Sequence, residues 1–371
     1  MRVCLDVQSA LGHRTGVGRY THALAAHLAS AAQPGEKIEG FYFDFRGRGA
    51  GEGAPPLPAR RIRWIPGRIA QQSWKRLRFP PFNWMAGKYD LYHFPNFIRP
   101  PLTRGKSVVT IHDVSFLRMP ETTERKNLRY LTDHIRETVE RSDRIITDSR
   151  AMADDIHDLL GAPRDRLRPI YPGLERSFAP PRPDWAAAAR ARLGLSRPYL
   201  LFVGTLEPRK NIPLLVDIFE RLADEDWDLV LVGMRGWRCE PILRRIEDSP
   251  RHAHIRWLEY AAEEDLPSIY AGAECLVFPS RYEGFGFPPL EAMACGAPVI
   301  SSTGGSLREV LEGGALLMES FDADLWAESI RRLCHNSAER SKLRAQGFAH
   351  AARYAWDQTA RETWTVYREL A

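Results

Sequence analysis

The sequence has few cysteines, and their spacing does not suggest a metal site. Five of its 371 residues are cysteine, spread from Cys4 to Cys334. They form no Cys-x-x-Cys pair and no cluster with histidine of the kind that ligates zinc. An odd number of widely spaced cysteines also argues against a disulfide framework. The sequence therefore predicts a protein of a reducing compartment that needs neither disulfides nor a structural metal.

Long hydrophobic runs are missing as well. The first apolar stretch is interrupted by Asp6, too early for a secretory signal peptide. The longest run without a charge, residues 292–307, is rich in glycine, proline and serine and is unsuited to a membrane-spanning helix. We therefore expect a cytoplasmic protein, at most peripheral at the inner face of the cytoplasmic membrane.

Neither sign of charge dominates the chain. The sequence contains 52 Lys and Arg and 47 Asp and Glu, a formal net charge of +5, which is weak evidence for a polyanionic partner. Hydrophobic residues make up 44% and charged residues 27%, a composition that excludes a disordered chain. At about 150 residues per domain, the length favours two domains.

Short apolar runs alternate with longer helical patterns, which is typical of βαβ units and a parallel sheet. Predicted strands in the first half are residues 2–7, 38–43, 91–94, 108–111 and 144–147. Predicted helices there are residues 17–32, 121–141 and 150–160. A second series of strands follows at residues 199–203, 228–232, 255–258, 275–279 and 299–301.

A proline-rich linker separates the two series near residue 180. We expect an N-terminal domain over residues 1–178 and a C-terminal domain over residues 179–355. The last segment, residues 356–371, has aromatic residues and alanine at helical spacing. This helix is expected to cross back and pack on the first domain.

The richest motif is the segment 282–296, which reads YEGFGFPPLEAMACG. It follows a predicted strand, and its two prolines suit the first turn of a helix. A helix start at the carboxyl edge of a parallel sheet is a site for an anion, and phosphate is the anion we expect. Glu283 and Glu291 would repel phosphate, so their expected partners are the hydroxyls of a nucleotide sugar. The alternative is that both are ordinary surface residues.

A second loop follows the predicted strand 199–203 and reads GTLEPRKN. It places Arg209 and Lys210 at the carboxyl end of the first strand of the second domain, where a diphosphate needs its charge neutralised. Cations at a helix start oppose the helix dipole, so their presence favours a bound anion. The alternative is a surface pair of cations without a ligand.

These motifs resemble those of the retaining glycosyltransferases of family 4. The resemblance is carried by the E-x7-E motif from Glu283 to Glu291, the loop 203–211, GVGRY at 16–20 and TIHD at 110–113. It covers almost the whole chain and is weakest over residues 45–90. It implies an α/β protein of GT-B fold: two Rossmann-like, doubly wound domains that face a cleft, with the C-terminal helix on the first domain.

The resemblance also implies a role for each motif. Glu283 is expected to contact the transferred sugar and Glu291 the ribose, while Arg209 and Lys210 bind the donor diphosphate. His112 is expected to contact the sugar near the reacting centre; the alternative is a buried structural histidine. Further donor-binding residues are Gly16, Gly18, Thr205, Leu258, Tyr260, Gly284, Phe285 and Gly286, and acceptor-side residues are Arg19, Tyr20 and Asp113.

Two positions depart from the family pattern. Thr205 stands where many relatives have arginine, so one phosphate contact is missing or is supplied by Arg209. Glu259 stands where many relatives have glycine, near the expected place of the base. It either changes how the base is read or points to solvent.

The loop over residues 12–20 also resembles a dinucleotide-binding fingerprint. It lacks the third glycine, because position 21 is threonine, and no acidic residue follows at the expected distance. The sequence therefore argues against an NAD-binding protein. In family terms this loop lies over the donor diphosphate and the acceptor.

Residues 46–106 are strongly basic, with thirteen Lys and Arg against two carboxylates and with aromatic residues interleaved. Within them Ala70, Trp74 and Leu77 share one face of a short predicted helix. One interpretation is a surface that rests on anionic lipid, where a lipid-diphosphate-linked acceptor is found. The other is that the apolar face packs on the first domain and the cations are solvated. A nucleic-acid partner is not expected, because no nucleic-acid-binding motif accompanies the charge.

The sequence thus predicts an enzyme that moves a hexose from a nucleotide diphosphate donor to a glycan or lipid-linked acceptor, in the synthesis of cell-surface polysaccharide. GDP-mannose is the first expectation for the donor, because the GVGRY start resembles bacterial polysaccharide mannosyltransferases. Alternatives are a UDP-sugar-dependent transferase, a nucleotide-sugar epimerase of the same fold, and a carbohydrate-binding protein without catalysis. No Asp-x-Asp motif lies near the end of a predicted strand, so we expect no metal and no other cofactor.

Overall fold

A computed structural model describes residues 1–11, 16–47 and 57–371 of the chain, without the side chains of 125–127. Residues 12–15 of the first glycine loop lie outside the described residues. So do residues 48–56, which belong to the basic segment 46–106. Expectations for those positions stay predictions.

The described strands and helices follow the predicted alternation. The strands are β1 (Arg2–Asp6), β2 (Lys37–Phe43), β3 (Ala59–Ile62), β4 (Leu91–Phe94), β5 (Lys106–Ile111), β6 (Arg144–Thr147), β7 (Leu167–Pro169), β8 (Tyr199–Val203), β9 (Asp228–Val232), β10 (Ile255–Leu258), β11 (Cys275–Phe278), β12 (Val299–Ser302) and β13 (Leu316–Met318). The helices are α1 (Gly16–Ala31), α2 (Gly67–Leu77), α3 (Phe82–Ala86), α4 (Ser115–Arg118), α5 (Arg125–Arg141), α6 (Arg150–Leu160), α7 (Pro183–Arg192), α8 (Ile212–Arg221), α9 (Glu240–Glu247), α10 (Leu266–Ala271), α11 (Phe287–Cys295), α12 (Leu307–Leu311), α13 (Ala323–His335), α14 (Ser337–Ala351) and α15 (Trp356–Arg368). None of these helices is both long and apolar enough to cross a membrane.

The strands form two sheets in which all described pairings are parallel. Their orders are β3-β2-β1-β4-β5-β6-β7 and β10-β9-β8-β11-β12-β13. Central strands such as β9 are buried at every residue, which is why they read as continuous apolar runs. The direction of winding reverses between β1 and β4 and between β8 and β11, and ligands of such sheets bind beside the carboxyl ends of strands at that point. The predicted doubly wound α/β fold is confirmed.

Three strands, β3, β7 and β13, were not predicted from the sequence, and each is at or next to the edge of its sheet. They are three or four residues long, and β3 reads Ala-Arg-Arg-Ile, with three exposed residues. An edge strand hydrogen-bonds to only one neighbouring strand and buries only part of one face. Its sequence therefore need not show an apolar pattern. Backbone pairing with the sheet makes them strands.

The chain divides into two compact units. Unit 1 contains Met1–Val114, Tyr130–Gly173 and Ala355–Ala371, and unit 2 contains Ser115–Arg129 and Leu174–Tyr354. The division therefore falls five residues before the expected boundary at 178. The segment Ser115–Arg129 also belongs to unit 2, where the Glu121 carbonyl accepts a hydrogen bond from Arg238 and the Glu121 carboxylate lies 4.0 Å from Arg281. These partners are distant in sequence, so a local pattern does not reveal them.

The last helix, α15, packs in unit 1 as predicted. Its buried aromatic side chains join the core that α1 forms with β1 and β4. Trp364 Nε1 donates to the Leu28 carbonyl at 3.0 Å, and the Tyr367 hydroxyl lies 2.7 Å from His93 Nδ1. The apolar stripe that predicted the helix is the face that is buried.

Candidate active site

The residues predicted to bind a diphosphate converge at the winding reversal of unit 2. Arg209 and Lys210 lie on a single 3-10 turn, Pro208–Lys210, in the loop after β8. Glu283 lies in the loop after β11, the neighbouring strand. The backbone N–H of Arg281 donates to the Arg209 carbonyl at 2.9 Å and joins the two loops. Parallel strands end at one edge of a sheet, so residues that are 73 positions apart in sequence become neighbours.

These three side chains form a buried ion cluster. Lys210 Nζ lies 2.6 Å from Glu283 Oε1, and an Arg209 guanidinium nitrogen lies 2.6 Å from Glu283 Oε2. The same nitrogen of Arg209 donates to the Tyr282 carbonyl at 2.7 Å. Arg209 also pairs with Glu207 at 2.7 Å, a partner that the sequence analysis missed. Lys210 and Glu283 are 8% and 7% exposed, so the alternative of ordinary surface residues is wrong for both.

The cluster keeps the Glu283 carboxylate ionised. Burial by itself would raise the pKa of Glu283, but the charges of Arg209 and Lys210 and the hydrogen bond from Lys210 outweigh it and lower that pKa to about 2. Burial lowers the pKa of the Lys210 ammonium, against the opposing charge of Glu283. In this ligand-free arrangement Glu283 is the counter-ion of two cations.

A tight turn after β12 holds Glu283 in place. The backbone N–H and the hydroxyl of Ser306 both donate to the Glu283 carbonyl, at 2.9 and 3.1 Å. Gly305 has φ +66°, and a Cβ there would lie 2.3 Å from that carbonyl oxygen, so only glycine fits. The sequence analysis missed this turn. Its signal was the Gly-Gly-Ser run directly after the predicted strand 299–301.

The loop of Arg209 and Lys210 is braced by the loop after β9. The Leu206 N–H donates to the Met234 carbonyl at 3.0 Å. A Cβ on Gly233 would lie 2.1 Å from the Gly204 carbonyl oxygen, and Gly233 has φ +147°, so glycine is required at this crossing. Thr205, at the predicted diphosphate contact, is exposed. The fold thus fixes the loop backbone independently of any ligand.

The loop from β11 into α11 has fewer amide donors than a typical helix start. Helix α11 begins with Phe287, Pro288 and Pro289, and prolines carry no backbone N–H. The backbone N–H groups at this helix start are therefore those of the predicted residues Gly284, Phe285 and Gly286 and that of Phe287. The Phe285 ring is buried and contacts the ring of Phe287, with 5.0 Å between the centroids. The side chains of Arg209 and Lys210 are the main positive charge of this site.

Glu291 lies in the second turn of α11 and is 2% exposed. Its Oε2 accepts a hydrogen bond from the Tyr270 hydroxyl of α10 at 2.8 Å. The alternative of a surface helix residue is therefore wrong. The ribose contact implied by the family resemblance stays a prediction.

The segment predicted to lie near the base is exposed at the carboxyl end of β10. Tyr260 is 69% exposed, and Leu258 is the last residue of the strand. The Glu259 side chain is 60% exposed, so it does point to solvent, and its carboxylate lies 3.5 Å from Arg235. The Arg235 guanidinium lies 5.1 Å from the centre of the Trp257 ring, on which it stacks. This rim therefore offers an exposed carboxylate and open aromatic surface.

In unit 1, His112 follows the carboxyl end of β5 and is held by two neighbours. Its Nδ1 lies 2.8 Å from Asp148 Oδ2, and its Nε2 lies 2.9 Å from the Pro95 carbonyl. A carbonyl oxygen only accepts, so Nε2 carries a proton. Burial disfavours the charged ring, but the carboxylate and both hydrogen bonds together outweigh that effect and raise the pKa of His112. A hydrogen bond from Nε2 to a sugar requires this nitrogen to leave Pro95, and the sugar contact that the family resemblance implies stays a prediction.

Asp148 is a partner of His112 that the sequence analysis missed. It comes directly after β6, the strand beside β5. Its position directly after a predicted strand could have identified it, because His112 was identified in the same way. On the other side, the Tyr20 ring meets the His112 ring edge-on at 4.6 Å between centroids. His112 is therefore fixed by unit 1 itself.

The remaining predicted residues of unit 1 differ in exposure. Tyr20 is 1% exposed and belongs to the core, whereas Arg19 and Asp113 are partly exposed. Gly16 is exposed, and a Cβ there would meet no described atom within 4 Å. Gly18 is buried in the first turn of α1. The contacts of these residues with donor or acceptor stay predictions.

Within the described part of the chain, no group of three or more His, Cys, Asp or Glu side chains is placed to hold a metal ion.

Two doubly wound parallel sheets with a helix returning to the first are the GT-B architecture, and solved structures share it over the full chain. Sucrose-phosphate synthase from Thermosynechococcus elongatus matches with a TM-score of 0.78 and 22% identity, over 100% of this chain and 98% of that one. Anabaena Alr3699/HepE, solved in complex with UDP and glucose, matches with a TM-score of 0.73 and 17% identity, over 100% of both chains. The protein is thus of the GT-B fold class.

The particular family follows from sequence matches. Residues 14–178 match the family described as Glycosyltransferase Family 4, and residues 186–350 match Glycosyl transferases group 1. O-antigen chain mannosyltransferase B of Escherichia coli is 33% identical over 284 residues, which are 76% of this chain and 74% of that protein. The D-inositol 3-phosphate glycosyltransferase of Salinispora tropica is 31% identical over 251 residues, 63% of this chain but only 52% of that longer protein. The chain belongs to glycosyltransferase family 4 and is a glycosyltransferase.

Proposed function

We propose that this enzyme transfers mannose, with retention of configuration, from GDP-mannose to a glycan or lipid-linked acceptor in cell-surface polysaccharide synthesis. The observation that carries the proposal is the buried cluster of Arg209, Lys210 and Glu283, two cations and a carboxylate at a sheet edge suited to a sugar diphosphate. The 33% identical relative of this chain is named an O-antigen chain mannosyltransferase, which supports the choice of sugar.

The cluster suggests how donor binding prepares the site. Glu283 occupies both cations while no anion is present. A diphosphate brings its own negative charge to Arg209 and Lys210, which releases the Glu283 carboxylate to accept hydrogen bonds from hydroxyls of the transferred sugar. The two cations then stabilise the charge that develops on the leaving diphosphate in a site shielded from water.

Glu259 supports guanine as the base. A carboxylate can accept hydrogen bonds from both the ring N–H and the amino group of guanine. Uracil presents a single N–H between two carbonyl groups, and a carboxylate repels the oxygens of those carbonyl groups. Glu259 lies at the carboxyl end of β10, where the family resemblance places the base, with its carboxylate 3.5 Å from Arg235. A UDP-sugar is the second candidate, because the structurally similar Alr3699/HepE was solved with UDP and glucose.

Guanine nucleotides are therefore expected to stabilise the protein more than uracil nucleotides. A ligand present at about 100 times its Kd adds about 2.7 kcal/mol to the free energy of unfolding, and weaker ligands add less. Thermal unfolding with GDP, GDP-mannose, UDP and UDP-glucose at equal concentration measures the difference. A larger rise in Tm with the UDP compounds would contradict the guanine assignment and favour the second candidate.

We also propose that transfer needs no bound metal, because Arg209 and Lys210 already supply positive charge for the diphosphate. Chelation with excess EDTA is expected to change the initial rate of transfer by less than about twofold. As a control, magnesium or manganese is added back after chelation and the initial rate is measured again. Loss of activity in EDTA that either metal restores would overturn this proposal.

An epimerase of the same fold would convert a nucleotide sugar without any acceptor. Incubation with donor alone, followed by separation of the sugar nucleotides, tests that alternative. We expect the donor to remain unchanged apart from slow hydrolysis. Location on the cytoplasmic side of a membrane stays a prediction, as does the lipid-linked nature of the acceptor.

A further inference from the structure

One segment of unit 1 carries more positive charge than the net charge of the complete chain. Residues 57–89 contain eight Lys and Arg and not a single Asp or Glu, whereas the complete chain has a net charge of only +5. The rest of the chain is therefore net negative. Most of these eight cations are exposed, including Arg68 and Arg76 on α2. Such a concentration of one sign on a short segment indicates an anionic partner.

The same stretch exposes large apolar side chains. Those that are more than half exposed are Trp64 (64%), Ile69 (54%), Leu77 (72%), Phe79 (53%) and Trp84 (62%). A single exposed apolar residue needs no explanation, but several within 21 positions form a patch that water does not favour. The combination of apolar and cationic side chains without carboxylates is the feature to be explained.

Packing on unit 1 accounts for only two of these cations: Lys75 lies 3.5 Å from the centre of the Tyr130 ring, and Arg78 pairs with Glu137 at 2.8 Å. Ala70 is fully buried, and the Trp74 ring contacts the rings of Phe43 and Phe82 at 6.0 Å between centroids. That is the face that the sequence analysis expected to pack, except for Leu77, which is exposed. Ile69 and Arg76 are seven positions apart and share the opposite face of the helix. The helix therefore has an inner apolar face and a second, outer face of mixed character.

Hydrogen bonds from α2 hold the chain that follows it. Trp74 Nε1 donates to the Pro80 carbonyl at 2.7 Å, and the Ser73 hydroxyl donates to the Phe79 carbonyl. The Phe79 and Trp84 rings meet edge-on at 5.6 Å between centroids. The exposed aromatic pair is thus fixed on the body of unit 1 by hydrogen bonds from α2.

We propose that the exposed side chains of Trp64, Ile69, Leu77, Phe79 and Trp84, together with the cations of residues 57–89 other than Lys75 and Arg78, form a surface that docks on an anionic phospholipid membrane. Aromatic and aliphatic side chains enter the boundary between head groups and acyl chains, and Arg and Lys pair with lipid phosphates. A nucleic acid would use the cations but leave Ile69 and Leu77 in water. The proposal rests on the proposed function for its purpose, because a membrane presents a lipid-linked acceptor to the enzyme.

Sedimentation with vesicles tests this surface on the full chain. The vesicles are pure phosphatidylcholine or contain about one third phosphatidylglycerol, and salt is varied. The protein is expected to sediment with the anionic vesicles, less so as salt is raised, and only weakly with the neutral ones. Equal binding to both vesicle types, or no binding to either, would overturn the proposal.

Two pairs of substitutions separate the apolar and cationic contributions. Leu77→Gln with Trp84→Gln, and Arg68→Gln with Arg76→Gln, are each expected to reduce binding to anionic vesicles at least about fivefold. The matched controls are in unit 2: Trp185→Gln, whose side chain is also 64% exposed, and Lys342→Gln with Arg353→Gln, both exposed. Controls that lose as much binding as the patch variants would contradict a specific surface.

Sedimentation needs no catalysis, so it is read independently of the proposed function. The patch variants are expected to keep the wild-type Tm and the wild-type response to GDP, which shows that the fold and the donor site are intact. Patch variants that bind vesicles as well as the wild type despite an intact fold would overturn the docking surface. A wild type that binds vesicles but transfers no sugar would instead count against the proposed function.

Discussion

Replacing Lys210 by alanine is expected to slow sugar transfer at least about a hundredfold, because the leaving diphosphate loses a buried positive charge. The Lys210 ammonium is 8% exposed and lies 2.6 Å from Glu283, so no other mobile cation or water shell substitutes easily for it. Binding of the nucleotide diphosphate should weaken as well. Initial rates at varied donor concentration, together with the Kd of GDP, measure both effects.

The fold should tolerate this substitution. Arg209 remains within 2.6 Å of Glu283 and keeps that buried carboxylate paired. Lys342→Ala, an exposed lysine in the same unit, is the matched control and should retain full activity. A Lys210→Ala enzyme that transfers sugar at near-normal rate, with unchanged affinity for GDP, would remove Lys210 from the active site.

Glu283→Gln is expected to abolish transfer to a similar degree but to leave nucleotide binding intact. Glutamine keeps the size of the side chain and removes the charge that holds Lys210 and Arg209 in the ligand-free protein. The cations then have no competing counter-ion, so the Kd of GDP should stay equal or fall. Lys210→Ala is instead expected to raise the Kd of GDP. Comparison of the Kd of GDP in the two variants therefore distinguishes a carboxylate that acts in catalysis from a cation that binds the diphosphate.

The same variant should be less stable without a ligand. Two buried cations lose their shared partner, and breaking a buried ion pair costs about 3 kcal/mol. Because the pKa of Glu283 is lowered from its ordinary value of 4.5 to about 2, its ionised form stabilises the fold above pH 4.5 and loses this effect as the pH falls toward 2. The difference in free energy of unfolding between wild type and Glu283→Gln should therefore shrink over that range.

Nucleotide binding is expected to restore part of the lost stability, since the diphosphate provides the missing negative charge. Denaturant unfolding with and without GDP measures this recovery. Glu264→Gln, at an exposed position of the same unit, is the control and should show neither the loss nor the recovery. Normal transfer by Glu283→Gln would contradict its place at the sugar.

Prediction of the site from sequence worked where strand ends decide the geometry. Arg209, Lys210 and Glu283 each follow a buried apolar run, and the loops after neighbouring parallel strands meet at one edge. Their contact could therefore be expected from the order of the strands. Their partners Glu207 and Ser306 were missed, because a side chain that braces a loop is recognised only once the loops have been placed beside each other.

The basic segment illustrates the same limit. Its cations and aromatic residues are visible in the sequence, and both a packed and an exposed interpretation were open. The structure contains both: Trp74 packs inward, and Leu77, in the next turn of the helix, stays exposed. Spacing along a helix states which residues share a face, but the neighbouring elements determine how wide the buried face is.

The sequence by itself determined the doubly wound α/β architecture, the return of α15 to unit 1 and the residues at the carboxyl ends of the central strands. These features depend on apolar periodicity and on glycine and proline positions, which are local. Only the tertiary structure decided that Glu283 pairs with two cations, that Asp148 and Pro95 hold His112, and that Ser115–Arg129 belongs to unit 2. Those contacts join residues distant in the chain, and their strength comes from burial, which no local pattern specifies.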